Sequence, residues 1–345
     1  MSDELLTSLL RDVSRSFYLT MRALPGPVRR QISLAYLLAR TTDTIADAGL
    51  ADVPSRLRAL AALRGKILGP GDAPLPLEPF LSSQATPAEQ VLLKRCPESL
   101  RLLRDLDPDD RRLVREVLDI IIGGQELDLQ RFGSATGSRI VALPTQSELD
   151  DYTYRVAGCV GEFWTRLCAA RLWPGAALDN QALERKGVRF GQGLQLVNIL
   201  RDLPRDLRHG RCYVPAQSLA AAGLAPHDLL SAQNQSRFQP VLNHLLALAQ
   251  GHLAAGWEYT GLLPKSQARV RLACAWPALV GARTLRKLRR ENLLDDSRRI
   301  KVSRPEVRFL ILRSILLYPW PAAWNAQFGK EIELIPAPFS SIKLP

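Results

Sequence analysis

Leu113-Val-Arg-Glu-Val-Leu-Asp-Ile-Ile-Ile-Gly-Gly-Gln-Glu-Leu127 sets Leu113, Val117, Ile120, Ile121 and Leu127 at spacings that recur in threes and fours. A helix gathers such positions on one face, whereas a strand needs alternation in steps of two. The same recurrence runs almost throughout the chain, and sustained alternation is scarce. The reading is an all-α protein, with helices expected over roughly 27–48, 55–67, 86–104, 109–132, 147–172, 179–202, 237–261, 266–291 and 303–317. Pro70, Pro74, Pro76, Pro79 and Pro87 cluster in a loop, and further turns fall between Leu24 and Val28 and after Tyr318. No repeat and no shift of composition divides the chain, so residues 1–330 are expected to form one helical domain and 331–345 a C-terminal tail.

At 345 residues the chain can bury a large core, and 46% hydrophobic with 23% charged residues is the balance of a folded globular protein. A formal charge of +12 attracts anions: phosphorylated small molecules, an anionic membrane face or nucleic acid. The five cysteines show no CxxC spacing, so neither a disulfide framework nor a zinc site is signalled, and a reducing cytoplasm is expected. The acidic start Met1-Ser-Asp-Glu-Leu-Leu does not resemble a secretion signal. The apolar run between Arg271 and Arg283 is too short to span a bilayer and contains Pro277. Val307 to Trp324 is also apolar but is broken by Arg308 and Arg313, which suggests at most peripheral contact with a membrane surface.

Two apolar helices carry polar stripes. In Ala35-Tyr-Leu-Leu-Ala-Arg-Thr-Thr-Asp-Thr-Ile-Ala-Asp47, a helix sets Tyr36, Arg40, Asp43 and Asp47 in one row. In Gly191-Gln-Gly-Leu-Gln-Leu-Val-Asn-Ile-Leu-Arg-Asp-Leu-Pro-Arg-Asp206, Gly191, Gln195, Asn198 and Asp202 share another row. Pro204 is expected to kink this helix and set Asp206 off the regular turn. Carboxylates four residues apart repel unless a cation or solvent intervenes. Mg²⁺ answers that need, since it takes hard oxygen ligands and is commonly held by one or two carboxylates plus substrate phosphates. Asp43, Asp47, Asp202 and Asp206 are therefore candidate metal ligands for a bound diphosphate, with Arg15, Arg40 and Arg201 neutralising the remaining charge. The four histidines lack carboxylate company at ligand spacing, and Gly187, Gly191 and Gly193 follow no strand, which excludes a dinucleotide loop there.

With these residues in place the chain resembles the squalene and phytoene synthases. The resemblance is carried by Ser14-Arg-Ser-Phe-Tyr18, Asp43-Thr-Ile-Ala-Asp47, Gly123-Gly-Gln-Glu-Leu-Asp128, Val156-Ala-Gly-Cys-Val-Gly161, Asn198-Ile-Leu-Arg-Asp202 and Gly210-Arg-Cys-Tyr-Val-Pro215. Ala273-Cys-Ala-Trp-Pro277 and Thr284-Leu285 look like a further block found in squalene synthases. It implies a single-domain helical bundle of the isoprenoid-synthase type around a central apolar cavity. It also implies head-to-head prenyl transfer between two farnesyl diphosphates through presqualene diphosphate, in the service of sterol or hopanoid biosynthesis. The four aspartates then bind Mg²⁺. Arg15, Arg40 and Arg201 hold diphosphate, Gln195 and Asn198 line the chamber with Phe17 near it, and Tyr152 or Tyr154 assists the first half-reaction; Tyr36, in the row of Arg40 and Asp43, is a further candidate for substrate contact. Arg155 stands where many squalene synthases carry Tyr, and Arg205 stands where the family commonly has Glu.

The product turns on a hydride. Nine basic residues from Arg283 to Arg304 face only Glu291, Asp295 and Asp296, and Arg298-Arg-Ile-Lys-Val302 looks similar to the segment squalene synthases use near NADPH. The resemblance thus assigns Arg298, Arg299 and Lys301 to that cofactor and favours squalene over dehydrosqualene, phytoene or presqualene diphosphate as end product, while the residues by themselves also read as a solvated basic face or a patch for anionic lipid. A terpene cyclase or chain-elongating synthase shares the Mg²⁺ logic but not the Ser-Arg-Ser-Phe and Val-Ala-Gly blocks. A non-catalytic assembly protein of this fold would be marked by loss of aspartates, and all four are present. Nucleic-acid binding rests on charge alone, without a motif.

Overall fold

The computed structural model describes residues 5–14, 17–69, 71, 74–81, 86–297 and 300–332. The all-α reading holds. Among the described residues, the α-helices of eight residues or more are α1 (Gly26–Ala46), α2 (Val53–Leu68), α3 (Pro87–Lys94), α4 (Cys96–Arg104), α5 (Pro108–Phe132), α6 (Gln146–Thr153), α7 (Cys159–Leu172), α8 (Asn180–Arg208), α9 (Gln235–Leu262), α10 (Ala268–Leu288), α11 (Arg304–Leu317) and α12 (Pro321–Ile332). Among the described residues, paired strands amount to one parallel couple, β1 (Val141–Ala142) with β2 (Arg211–Cys212). No helix among the described residues is long and apolar enough to cross a membrane.

Local chemistry explains the ends. Pro27, Pro54 and Pro108 stand in first turns, where a missing N–H costs nothing. Asp52 accepts from the Ser55 N–H at 2.8 Å, and Thr86 and Ser303 form reciprocal capping boxes with Glu89 and Glu306.

Three expected helices need correction. Residues 86–104 form two helices, because Pro97 has no N–H to continue the ladder and Arg95 ends α3 as it starts α4. Residues 147–172 are interrupted by a π-helical turn, Tyr154–Gly158, between α6 and α7. The helix expected to stop at 202 continues through Pro204 to Arg208, so Asp202 and Asp206 sit one turn apart on the same helix. Shorter helices at Leu10–Ser14, Phe17–Ala23 and Ala216–Ala221 escape a periodicity reading because they are too brief to display a period.

The backbone sorts into two compact units. The first comprises 1–133, 159–184 and 266–273, and the second 134–158, 185–265 and 274–345. Each is assembled from segments distant in sequence, which is why no compositional boundary marks them. In the first unit α1 packs on α5, α2 and α7. Leu34, Leu37, Leu38, Ile45, Leu60, Leu63, Val114, Leu118, Ile122 and Leu167 are fully buried there. Burying such a side chain stabilises by about 1.5–3 kcal/mol. In the second unit α9 packs on α12 and α12 on α11. Residues 333–345, most of the expected tail, lie outside the described residues.

Candidate active site

The first acidic row lies on α1 and the residue that caps its C-terminus, Asp47, in the first unit. Its apolar positions are spent on the core described above, which leaves Tyr36, Arg40, Asp43 and Asp47 on another face. Gln125 of α5 donates to Asp43 Oδ1 at 2.6 Å, and Arg40 Nη1 stands 3.8 Å from Asp43 Oδ2. Arg40 Nη2 is paired with Glu89 of α3. Phe17 stacks on Tyr36 with ring centroids 6.0 Å apart, so these two expected residues are together.

Burial, and next the charge of Asp47, pushes the Asp43 carboxyl up to about 6, against the pull of Arg40 and the Gln125 hydrogen bond. The carboxylate is hemmed in by protein yet keeps 46% of its side-chain surface accessible. Solvent on that open side screens part of the penalty. Two buried polar atoms in this row have no partner among the described residues: Arg40 Nε, a donor, and Gln125 Oε1, an acceptor.

The second acidic row lies on α8, in the second unit. Arg201 Nε and Nη2 reach Oδ1 and Oδ2 of Asp202 at 3.0 and 2.5 Å, a bidentate pair. Burial, then Asp202, raises the Asp206 carboxyl to about 6, while Arg211, Arg205 and His209 oppose the rise. Both rows therefore hold a carboxylate that resists ionising alone and beside which a cation would be welcome.

Glycines let the rest of this site close up. A Cβ on Gly191 would lie 2.2 Å from the Ala157 carbonyl oxygen, and one on Gly158 would meet Tyr154, Gln192 and Val188 at 3.1–3.3 Å. The Val156-Ala-Gly158 motif and Gly191 are thus the two sides of one close backbone contact, made against the π-helical turn. That contact brings Tyr152 of α6 to α8, where Gln195 Nε2 stands 3.5 Å from Tyr152 Oη and Asn198 Nδ2 3.4 Å from Gln195 Oε1.

The Gly210-Arg-Cys-Tyr-Val-Pro215 motif has a mechanical reason as well. Gly210 has φ +77°, and a Cβ there would lie 2.4 Å from the Thr136 carbonyl oxygen. The following residues pair with β1, Val141 N–H donating to Gly210 O at 2.8 Å and Leu143 N–H to Cys212 O at 3.0 Å. Tyr213 is thereby laid on Tyr152, centroids 4.5 Å apart. Tyr154, the other candidate, lies in the π-helical turn.

The structure thus brings together Phe17, Tyr36, Arg40, Asp43 and Asp47 in one unit, and Tyr152, Gln195, Asn198, Arg201, Asp202 and Asp206 in the other. Arg15, Arg298 and Arg299 lie outside the described residues, and Lys301 is exposed, its carbonyl accepting from Lys287 Nζ at 3.2 Å. Sequence reasoning missed Gln125, Glu89 and Tyr213 as parts of the site. Gln125 and Tyr213 stand inside quoted motifs, but their contacts are with residues distant in the chain.

The sequence pattern of the squalene/phytoene synthase family matches residues 10–306. A bifunctional lycopene cyclase/phytoene synthase of Arthroderma gypseum is 30% identical over 264 residues, 75% of this chain and 42% of that protein. The chain thus spans under half the length of these bifunctional relatives. A presqualene diphosphate synthase of Zymomonas mobilis is 28% identical over 304 residues, 87% of this chain and 89% of that one. Among solved structures, TcSQS in complex with the ligand E5700 superposes with a TM-score of 0.75 at 18% identity, covering 96% of this chain and 98% of the other. Squalene synthase HpnC from Alicyclobacillus acidocaldarius gives 0.60 at 21% identity, covering 84% and 94%. At such identities structural likeness speaks for the fold, and the sequence match speaks for descent: the chain belongs to the squalene/phytoene synthase family.

Proposed function

We propose that this chain joins two farnesyl diphosphates head to head through presqualene diphosphate, with Mg²⁺, and reduces the product to squalene with NADPH. One observation carries the reading: two helices, α1 and α8, each present an aspartate pair one turn apart with an arginine in contact. The residues suit the metal. Asp43 with Asp47, and Asp202 with Asp206, are hard oxygen donors whose mutual repulsion a cation relieves. Among the described residues no cluster of three or more His, Cys, Asp or Glu offers a complete cage, so phosphate oxygens would complete the coordination. When bound, Mg²⁺ would neutralise the diphosphate and make it a better leaving group.

The chain's own residues do the rest. Arg40 Nε is a buried donor ready for a phosphate oxygen, and Arg201 would exchange Asp202 for one. Diphosphate loss leaves an allylic cation, which the double bond of the second substrate attacks. Proton loss then closes the cyclopropane, and Tyr152, its hydroxyl near Gln195 and its ring against Tyr213, stands ready to assist.

A second reading, in which the reaction ends at presqualene diphosphate, is favoured by the Zymomonas relative of that name, which aligns over 89% of its length. Incubation of the purified chain with farnesyl diphosphate and Mg²⁺, with and without NADPH, separates the two. Squalene formed only with NADPH supports the proposal. Presqualene diphosphate accumulating in both removes the reductive half. Condensation of geranylgeranyl diphosphate alone replaces the substrate by that of a phytoene synthase, and no condensation of either refutes the reading.

A further inference from the structure

Five large apolar side chains that the described residues leave open to solvent fall within twelve positions, on α11 and the turn after it. Phe309, Leu312, Ile315, Leu316 and Trp320 are 54, 58, 45, 59 and 61% exposed. Steps of three, four and four set Phe309, Leu312, Leu316 and Trp320 in one row. Core packing does not account for this row. The other side of α11 already packs inward: Leu310 is buried, and buried Ser314 accepts from Trp276 Nε1 at 3.0 Å. The turn carrying Trp320 is ordered, its N–H donating to Leu317 O at 3.0 Å and its carbonyl accepting from Trp324 N–H at 2.8 Å. The helix end is tied down where Tyr318 Oη donates to the Lys265 carbonyl at 3.0 Å.

Among the described residues from 300 to 332 the exposed charges have one sign. Lys265, Lys301, Arg304 and Arg308 are exposed. The two acidic residues between 300 and 332 are both engaged elsewhere: Glu306 with Lys287 at 2.9 Å, and Glu331 buried between Arg283 at 2.8 Å and Arg313 at 3.2 Å. A fixed apolar row with an indole at one end and an unneutralised cationic rim matches an anionic bilayer, whose headgroups take the arginines while the row enters the acyl boundary. A second copy suits the face less well, because an isologous contact sets the same arginines against each other.

We propose that the outer face of α11 and the Trp320 turn dock this protein on an anionic membrane surface. Flotation of the full chain with phosphatidylcholine vesicles, with and without phosphatidylglycerol, tests it. The wild-type chain is expected to float with the anionic vesicles and not with the neutral ones. Leu312→Glu with Leu316→Glu should lower partitioning by about 10-fold or more, and Arg304→Glu with Arg308→Glu should lower it in a salt-dependent way. Circular dichroism checks that each variant is folded. If the glutamate pair does not fold, Leu312→Ser with Trp320→Ser is the substitute, and it too should lose binding. A wild-type chain that stays in the aqueous phase overturns the proposal, as do folded variants that float like wild type. So does a wild-type dimer, failing to float, that the leucine substitutions convert to monomer.

Discussion

Replacing Asp43 by Asn separates the cost of this carboxylate to the fold from its use in the reaction. The amide keeps an oxygen for the 2.6 Å hydrogen bond from Gln125 and removes the charge facing Asp47. In the folded chain this carboxyl is raised from 3.8 to about 6, so ionising it opposes folding. Taken alone, a rise of this size corresponds to about 3 kcal/mol. With 46% of the side chain accessible, solvent screening brings the figure to about 1 kcal/mol. Below pH 4 or so the group is protonated in folded and unfolded chains alike, and the two proteins should differ little. As the pH rises from 3.8 to about 6, the unfolded chain releases its proton first, so wild type loses stability that the Asn variant keeps. Above that window the variant should melt about 1–2 °C higher. Thermal melts followed by circular dichroism in EDTA, from acid to pH 8, measure the difference. Turnover should fall by about 100-fold or more, because the same charge is proposed to serve diphosphate departure. A variant less stable than wild type at pH 8, or an offset that does not change with pH, refutes the electrostatic reasoning. Near-normal turnover refutes the metal-binding role.

Asp202→Asn should leave the circular dichroism unchanged and abolish turnover, since the amide keeps the side chain's shape while removing a charge proposed to hold the metal; substantial residual activity would remove Asp202 from the site. Gly191→Ala drives a Cβ to 2.2 Å from the Ala157 carbonyl and should cost about 2–3 kcal/mol, read as a fall in melting temperature together with a loss of kcat. Gly210→Ala combines a positive φ with a 2.4 Å approach to Thr136 and should lower the melting temperature by at least about 2–4 °C. Tyr213→Leu removes the stack on Tyr152, worth about 0.5–1.5 kcal/mol, and should depress kcat more than Tyr213→Phe, which keeps it.

Helix class and both acidic rows were legible in the chain because they depend on the angle between successive residues, which α-helical geometry sets locally. Leu113 to Leu127 and Tyr36 to Asp47 could be read in that way without any knowledge of what lies beside them. The motifs were visible too, but their mechanical reasons were not. That Gly191 exists for Ala157, Gly210 for Thr136 and Gln125 for Asp43 follows from contacts between residues far apart in sequence, and spacing carries no record of such partners. Pro204 misled for the related reason that propensity is a local average, whereas a long packed helix can absorb one missing hydrogen bond. Charge state likewise belongs to the folded protein. Asp43 and Asp206 are both raised above the ordinary aspartate value by burial and a neighbouring carboxylate, and those surroundings exist only after the chain has folded.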